Sequence, residues 1–479
     1  MRAINLKTNH LTVPVGIDAG PLFLSWQCAD GVCQTAYEIQ LTANGEMLWH
    51  SGKTEGAAMH ADVPAVGGSR VSGCWRVRLW DENDVPGAWS EARFETGLAQ
   101  CDWVGEWVDP ETEPIDIPGD DAINAFARPN WERKQAEKEA AGKGAAESYK
   151  PHRPASYLRK SFTASKGEAR LYITAKGLYA AWLNGKHIGD MVLAPGSFTG
   201  NKHLGAQTYD VTALLHEGEN ELLIALGDGW HRSTGGVDGD RDLFGDTLGV
   251  LFQLEVDGKP VCISDDTMQA TQCGPIRQND MQQGEVYDAR LEGELTGWHG
   301  VRTYRDDLPI TGMNTVPILE HEAFPGKLLQ TPNGETVLDF GQNIAGYVEI
   351  TLIAHTGQKV KLTCGEALDE NGNFTQENFQ DRNRHKEGGT AQVRFSGDFT
   401  QDVDMTVEQI GQEENGNQVV VFSSDRYLTR TTLLRSQSVE IIFDSFSGLR
   451  IPKDALRMEK YTYTDEETGE EKEDSRLGV

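Results

Sequence analysis

Tyr179-Ala180-Ala181-Trp182-Leu183-Asn184-Gly185-Lys186-His187-Ile188-Gly189 is the stretch on which the fold turns. Tyr179–Leu183 is a short strand by composition, and it stops at Asn184-Gly185. Asn and Gly together supply the positive φ that a primed two-residue hairpin turn requires. Outward from this hairpin, Tyr157–Phe162, Ala169–Ala175, Tyr209–Val211, Glu221–Leu226 and Gly249–Leu254 are further short strand-like runs, with Gly, Asn or Asp at the breaks. Strands at this spacing, without helical runs between them, predict a sandwich or jelly roll.

The flanks carry the same signal. Residues 1–98 predict a small sandwich, with period-2 alternation in Ala36–Leu41, Cys74–Trp80 and Ala92–Glu95 and turns at Asn44-Gly45 and Asp84–Gly87. Trp26, Trp49, Trp75, Trp80 and Trp89 are a heavy aromatic load for this region. Core and strand-edge packing accounts for them more simply than carbohydrate stacking does. Residues 99–320 hold the hairpin region, with a polar insertion at 111–152 whose Lys/Glu/Ala-rich part, Trp131–Ala145, predicts a surface helix or a disordered segment. Gly334–Asp339, Gly346–Ile353 and Gln358–Glu366 predict strands of a third β-unit over 321–397. Alternation resumes in Val403–Val407, Gln418–Phe422 and Ser438–Phe443, and the chain ends in an acidic stretch containing Asp465, Glu466, Glu467, Glu470, Glu471, Glu473 and Asp474. The fold class expected is mostly β: tandem β-sandwich and jelly-roll domains.

The 479 residues allow roughly three or four domains and a core large enough to need no disulfide. A formal net charge of -30, from 44 basic and 74 acidic side chains, argues against nucleic acid and anionic membrane as partners, since both reward the opposite sign. Seven cysteines form no CxxC pair, which predicts reduced core thiols rather than a disulfide framework or a zinc site. MRAINLKTNH lacks an apolar leader core and no membrane-length apolar stretch occurs, so a cytoplasmic location is expected.

No dinucleotide, P-loop, zincin or nucleophile-elbow motif is present. His231 has no second histidine at ligand spacing. The loop Gly227–Asp246 is the one constellation with chemistry in it, carrying Asp228, Asp238, Asp240, Asp242 and Asp246 around Trp230. Two readings stand side by side. Asp238, Asp240, Asp242 and Asp246 on an irregular Gly-bearing loop are the hard oxygen ligands that calcium prefers. Equally, they are the turn formers of a solvated loop, capping their own backbone. Trp230 beside Asp228 could stack on the apolar face of a sugar and accept its hydroxyls. Glycoside hydrolysis needs two opposed carboxylates, roughly 5–5.5 Å apart for retention or 6.5–9.5 Å for inversion. Sequence context selects no such pair from the 74 acids.

Taken in order, these segments resemble the non-catalytic front of a bacterial alpha-L-rhamnosidase. Pro14–Asp18, Phe23–Trp26, Gln34–Tyr37, Trp75–Asp81 and Ala88–Leu98 are similar to that family's fibronectin-type-III-like leader. Ala155–Lys160, Leu183–Gly189, Leu193–Gly196, Gln207–Thr212, Gly218–Asn220 and Gly227–Trp230 resemble its amino-terminal jelly roll. Val337–Asn343, Ala345-Gly346 and Gly365–Asp369 resemble the next sandwich.

The resemblance implies that catalysis belongs to an (α/α)6 barrel downstream, with glutamates as acid and base of an inverting hydrolysis. Neither the segment expected to open that barrel nor its helices can be found, so no catalytic residue carries over. The resemblance also implies a rhamnose-containing oligosaccharide or glycoside as partner, held with calcium in some members. In this chain that site falls near Asn184, Asp228, Trp230 and the Asp238–Asp246 loop. Residues 398–479 read as an unrelated β-rich segment with an acidic tail, weakly similar to the β-barrel of a membrane-fusion or efflux-adaptor protein. A join in the reading frame near residue 397 would account for both truncations. The function expected is therefore that of accessory, carbohydrate-binding domains without the enzyme. An active alpha-L-rhamnosidase and a non-binding structural fragment are the alternatives.

Overall fold

The computed structural model describes residues 1–115, 153–234, 241–313, 315–351, 353, 355, 357–375, 390–395, 402–414, 417–424, 439–442, 457–464 and 471–478. The chain divides into two compact units, Met1–Ala323 and Phe324–Val479.

The first unit opens with a sandwich of nine strands: β1 (Arg2–Thr8), β2 (Val15–Ile17), β3 (Leu22–Ala29), β4 (Ala36–Ala43), β5 (Glu46–His50), β6 (Thr54–Glu55), β7 (His60–Val63), β8 (Ser72–Trp80) and β9 (Ser90–Thr96). One sheet runs β1-β3-β7; the other runs β2-β9-β8-β4-β5, with β6 also on β4. Strand β8 shows how sequence becomes layer. Trp75, Val77 and Leu79 are buried while Ser72 and Arg76 are exposed, the period-2 pattern of a half-buried strand. Register sets Trp75 opposite Leu41 and Val77 opposite Ile39, so the inward side chains meet across strands. Trp26 and Trp75 are core residues with rings 6.5 Å apart. Their indole N–H groups donate to Gln34 Oε1 at 3.1 Å and to Thr8 Oγ1 at 2.9 Å, so burial leaves neither unsatisfied. Arg78 lies over the rings of both Trp80 and Trp89.

A jelly roll follows, built from β10 (Trp107–Asp109), β11 (Ser156–Ala164), β12 (Ala169–Lys176), β13 (Leu178–Leu183), β14 (Lys186–His187), β15 (Leu204–Asp210), β16 (Gly218–Gly227), the one-turn helix α1 (Gly229–Arg232), β17 (Gly249–Val256), β18 (Lys259–Ile263), β19 (Gln269–Thr271), β20 (Ile276–Asp280), β21 (Gly284–Tyr287), β22 (His299–Gly300), β23 (Arg302–Tyr304) and β24 (Ile310–Gly312). A sheet ordered β23-β10-β17-β12-β15-β24, with β18 on β17, faces a sheet ordered β14-β13-β16-β11-β19-β22. Leu171, Ile173, Phe252 and Leu254 of one sheet pack on Leu158, Leu183, Ile224 and Leu226 of the other. The Asn184-Gly185 turn has φ of 52° and 76° and closes the β13–β14 hairpin.

Strand β17 is buried along its whole length, which explains why Gly249–Val256 does not alternate cleanly. Phe252 and Leu254 point into the inter-sheet core, whereas Leu251 packs with Trp107, Leu204 and Ile310 on the outer face. Gln253 and Glu255 meet partners from residues 70–104: Gln253 Oε1 accepts from Val104 N–H at 2.8 Å, and Glu255 receives Arg70.

In the second unit, β25 (Lys327–Gln330) pairs with β26 (Thr336–Asp339), and β27 (Ala367–Leu368) with β28 (Phe374–Thr375). The strands expected over 346–353 and 358–366 do not form among the described residues. Alternation fixes a face, but a strand also needs a hydrogen-bonding neighbour. Leu328, Tyr347 and Ile353 stay exposed. A separate sheet runs β31-β30-β29-β32, from β29 (Thr390–Phe395), β30 (Asp402–Glu414), β31 (Asn417–Ser423) and β32 (Val439–Ile442); β33 (Arg457–Thr464) pairs with β34 (Glu471–Gly478). Pairing of β29 with β30 sets Val393 opposite Val403, so the boundary expected at residue 397 falls inside one sheet.

The mostly β architecture without an (α/α)6 barrel is what the described residues show, α1 being the one α-helix among them. None of their helices is long and apolar enough to cross a membrane. None of the seven cysteines is in a disulfide, but only Cys262 is a core residue; Cys33, Cys101, Cys273 and Cys364 are exposed, so the expectation of core thiols fails for these four. Residues 116–152 of the polar insertion, acids 465–470 and the segments 425–438 and 443–456 lie outside the described residues.

Candidate functional site

Strand β16 ends at Gly227, and the chain turns at once into Asp228 and α1. Gly229 makes the turn possible. Its φ is +52°, and a Cβ there would lie 2.5 Å from Leu178 Cγ and 3.0 Å from the Leu178 nitrogen. Trp230, half-buried, and His231, buried, then line a cleft with Phe198, Phe244, Pro195 and Leu204. Its accessible volume is about 20 Å³, room for a single water-sized group.

Behind the cleft the polar groups are committed to one another. Asp228 Oδ1 accepts from Arg232 Nε at 2.8 Å and from its NH2 at 2.6 Å, with the two side chains only 2% and 4% exposed. Burial pushes the Asp228 carboxyl up from its ordinary range, and the guanidinium of Arg232 acts against that rise. Asp228 N–H donates to Asn279 Oδ1 at 2.5 Å, and Asn279 Nδ2 donates to the Arg153 carbonyl at 3.0 Å. Arg153 NH1 in turn donates to Asp242 Oδ1 at 2.5 Å. Asp280 Oδ2 accepts from Thr234 N–H at 2.7 Å and from its hydroxyl at 2.9 Å. A buried polar network satisfied in this way holds α1 in one place.

The structure separates the residues that sequence grouped. Asp228 and Trp230 adjoin each other in sequence, and the buried Asp228 carboxylate is paired with Arg232. Asn184 stands at the other end of the sheet. Register pairs Leu178 with Gly227 and Leu183 with Leu222, which puts Asn184 six residues along β13 from the α1 end. At 3.3 Å per residue that is roughly 20 Å. The Asn184 side chain is consumed there: Nδ2 donates to Leu214 O at 2.9 Å and to Asn220 Oδ1 at 2.8 Å, while Oδ1 accepts from Glu221 N–H at 3.0 Å. Its grouping with Trp230 is corrected, because strand geometry holds the two apart.

Of the four aspartates read as a calcium set, Asp238 and Asp240 lie outside the described residues. Asp242 is neutralised by Arg153, and Asp246 is exposed, accepting from Thr247 Oγ1 at 3.1 Å. Among the described residues no group of three or more His, Cys, Asp or Glu side chains comes together.

Sequence reading missed Arg153, Phe198, Arg232, Phe244, Asn279 and Asp280. Arg232 had a signal, since it stands four residues after Asp228, the spacing at which side chains meet on one helical turn. Phe244 stands in the same Gly227–Asp246 loop but had no signal of its own, and Arg153, Phe198, Asn279 and Asp280 come from distant segments and had none.

Three family models match the chain in succession: the Rha78A-like, N-terminal immunoglobulin domain at residues 3–100, the alpha-L-rhamnosidase N-terminal domain at 165–326, and the bacterial alpha-L-rhamnosidase concanavalin-like domain at 329–418. The last runs past residue 397. An alpha-L-rhamnosidase of Formosa agariphila is 30% identical over 420 residues, which are 78% of this chain and 41% of that protein. Two solved structures are similar. The alpha-L-rhamnosidase of Aspergillus terreus has 26% identity and a TM-score of 0.57, with 71% of this chain and 39% of that chain covered. The alpha-L-rhamnosidase of Dictyoglumus thermophilum has 24% identity and a TM-score of 0.57, with 72% and 39% covered, a likeness of fold alone. The chain thus spans about 41% of the length of the curated relative. At the level of the family, it matches the N-terminal accessory domains of bacterial alpha-L-rhamnosidases.

Proposed function

We propose that these domains are a non-catalytic carbohydrate-binding array of alpha-L-rhamnosidase type, holding a rhamnose-containing glycan at the Trp230 cleft. The observation that carries the reading is the half-buried Trp230 lining a cleft with Phe198 and Phe244, within the region matched by the alpha-L-rhamnosidase N-terminal domain. An aromatic face beside a small recess suits the apolar face of a pyranose with one substituent inserted. No catalytic role is assigned to any residue.

The test is calorimetric titration of the whole chain with L-rhamnose, with and without calcium, beside a chromogenic alpha-L-rhamnoside assay on the same sample. Heat without turnover supports the reading, and dependence of that heat on calcium would assign a cation to the loop that contains Asp238 and Asp240. Turnover would replace the reading with that of an active glycosidase. A second reading, a scaffold without glycan affinity, is favoured by Asn184 and Asp228, whose polar groups bond within the fold. It predicts silence in both assays.

A further inference from the structure

The outer face of the sheet β14-β13-β16-β11-β19-β22 carries a row of side chains that the inter-sheet core does not use. Register sets Trp182 of β13 opposite Leu223 of β16, Leu223 opposite Arg159 of β11, and Arg159 opposite Gln269 of β19. Their chain neighbours Ala181, Leu183, Leu222, Ile224, Leu158 and Ala270 belong to the core, so alternation turns this row away from it. Trp182, Leu223 and Arg159 are half-buried, and Gln269 is exposed. Both ends of the row are braced. His187 stands edge-on to Trp182, with ring centroids 5.5 Å apart at 74°, which fixes the plane of the indole. At the other end the guanidinium carbon of Arg159 lies 4.0 Å from the ring centroid of half-buried Trp298. The Trp298 N–H donates to Leu295 O at 2.9 Å, and Arg159 donates to Gln269 Oε1 from Nε at 3.0 Å and from NH2 at 2.8 Å. Trp182 and Arg159 stand two strand spacings apart, roughly 10 Å.

Resting on the carbohydrate reading above, we propose that this row is a second glycan-binding surface, taking interior sugars of a neutral oligosaccharide across Trp182, Leu223 and the Arg159–Trp298 stack. Indole and leucine side chains meet the apolar C–H faces of a pyranose, while the guanidinium and the Gln269 amide donate to hydroxyls. Roughly 10 Å accommodates about two pyranose rings side by side. Charge selects a neutral ligand. Arg159 is the one cation in the row, and Glu221 stands exposed on the same face, two residues before Leu223 and opposite Ser161. Glu221 and the chain's net charge of -30 both repel a polyanion. The row also shares a strand with the Trp230 cleft. Gly177 lines that cleft and immediately precedes β13, and Trp182 lies five residues on, roughly 17 Å away. One short oligosaccharide reaches both, so the row supplies affinity that grows with chain length.

The experiment is calorimetric titration of the full chain with methyl alpha-L-rhamnoside and with alpha-(1→2)-, alpha-(1→3)- and alpha-(1→4)-linked L-rhamnose tetrasaccharides. Wild type is compared with Trp182→Ala, Trp182→Phe, Trp298→Ala and Trp230→Ala. On wild type at least one tetrasaccharide should bind about 10-fold tighter than the monosaccharide. Trp182→Ala and Trp298→Ala should each cut this gain by about 3-fold or more, and Trp182→Phe should keep part of it. Trp230→Ala should weaken monosaccharide and tetrasaccharide alike. No gain with length for any linkage, or a gain that survives Trp182→Ala, overturns the proposal, and monosaccharide binding would then still uphold the cleft. Binding of a tetrasaccharide alone, lost in Trp182→Ala, upholds the row and removes the cleft. Absence of all binding by wild type removes both. Light scattering of the same samples reads the competing occupant: a wild-type dimer that Trp182→Ala dissolves, without length dependence, gives the face to a second copy of the chain. Matched thermal melts separate a lost contact from a lost fold.

Discussion

The guanidinium of Arg70 holds the carboxylate of Glu255 through two hydrogen bonds of 2.6 Å each, joining the N-terminal sandwich to the central strand of the jelly roll. Arg170 returns the connection from the jelly roll to Glu95 of the sandwich, with Nε 2.9 Å from Oε1 and NH2 3.0 Å from Oε2. Paired two-point contacts running in opposite directions fix orientation better than a point charge could, because the fork of an arginine matches a carboxylate in one plane.

Arg70→Ala leaves Glu255, 2% exposed, with Gln253 as its remaining side-chain donor at 2.6 Å. Breaking such a pair should cost about 2–4 kcal/mol, more than Glu255→Gln, which removes the buried charge along with the bond. Calorimetric melting of the two variants checks the order; equal losses would mean that Arg70 contributes through packing alone.

Asn184→Ala removes three hydrogen bonds and puts alanine at a φ of 52°. A loss of about 2–3 kcal/mol is expected, with Asn184→Gly milder because glycine tolerates the turn. Sugar affinity should not change in either variant, since Asn184 lies far from Trp230. Titration showing a selective loss of affinity would return Asn184 to the site.

Gly229→Ala forces a Cβ against Leu178 at 2.5 Å in a backbone conformation that favours glycine. We expect destabilisation of about 2 kcal/mol or more and loss of glycan binding as α1 shifts. A thermal melt and a titration on one preparation decide this; a fully stable, binding variant would show that β13 gives way easily.

Acid should weaken the fold through His231. Its folded value of about 4 lies below the ordinary 6.5, so between these the unfolded chain binds more protons and stability rises with pH. The contribution is complete above pH 6.5 and is lost as pH falls towards 4, up to about 3 kcal/mol. Denaturant titrations at pH 7 and pH 4.5 should show a larger acid penalty in wild type than in His231→Gln, which has no group titrating there. Equal penalties would mean that the ring accepts a proton in place.

Much of the fold was legible because its determinants are local. The alternation in Cys74–Trp80 and the Asn184-Gly185 turn act over a few residues, and β8 and the β13–β14 hairpin stand where those signals put them. The same signal over-reached at 346–353, where alternation had no neighbouring strand to pair with. Trp230 was legible as an aromatic on a Gly-rich turn, but the partners of Asp228 and Asp242 were not, since aspartates read alike whether they bind a cation, a turn or an arginine.

By itself the sequence determined the β class, the hairpin turn, the run of family-like segments and the aromatic at the cleft, all written in short-range periodicity and turn chemistry. Only the tertiary structure decided that Asp242 belongs to Arg153, that Asp228 belongs to Arg232 and Asn279, that both faces of β17 are covered, and that Asn184 and Trp230 stand at opposite ends of one sheet. The reason is physical. A charge or an amide finds its partner through the closing of the sandwich, which brings together segments as far apart as Arg70 and Glu255, and no local pattern records that meeting.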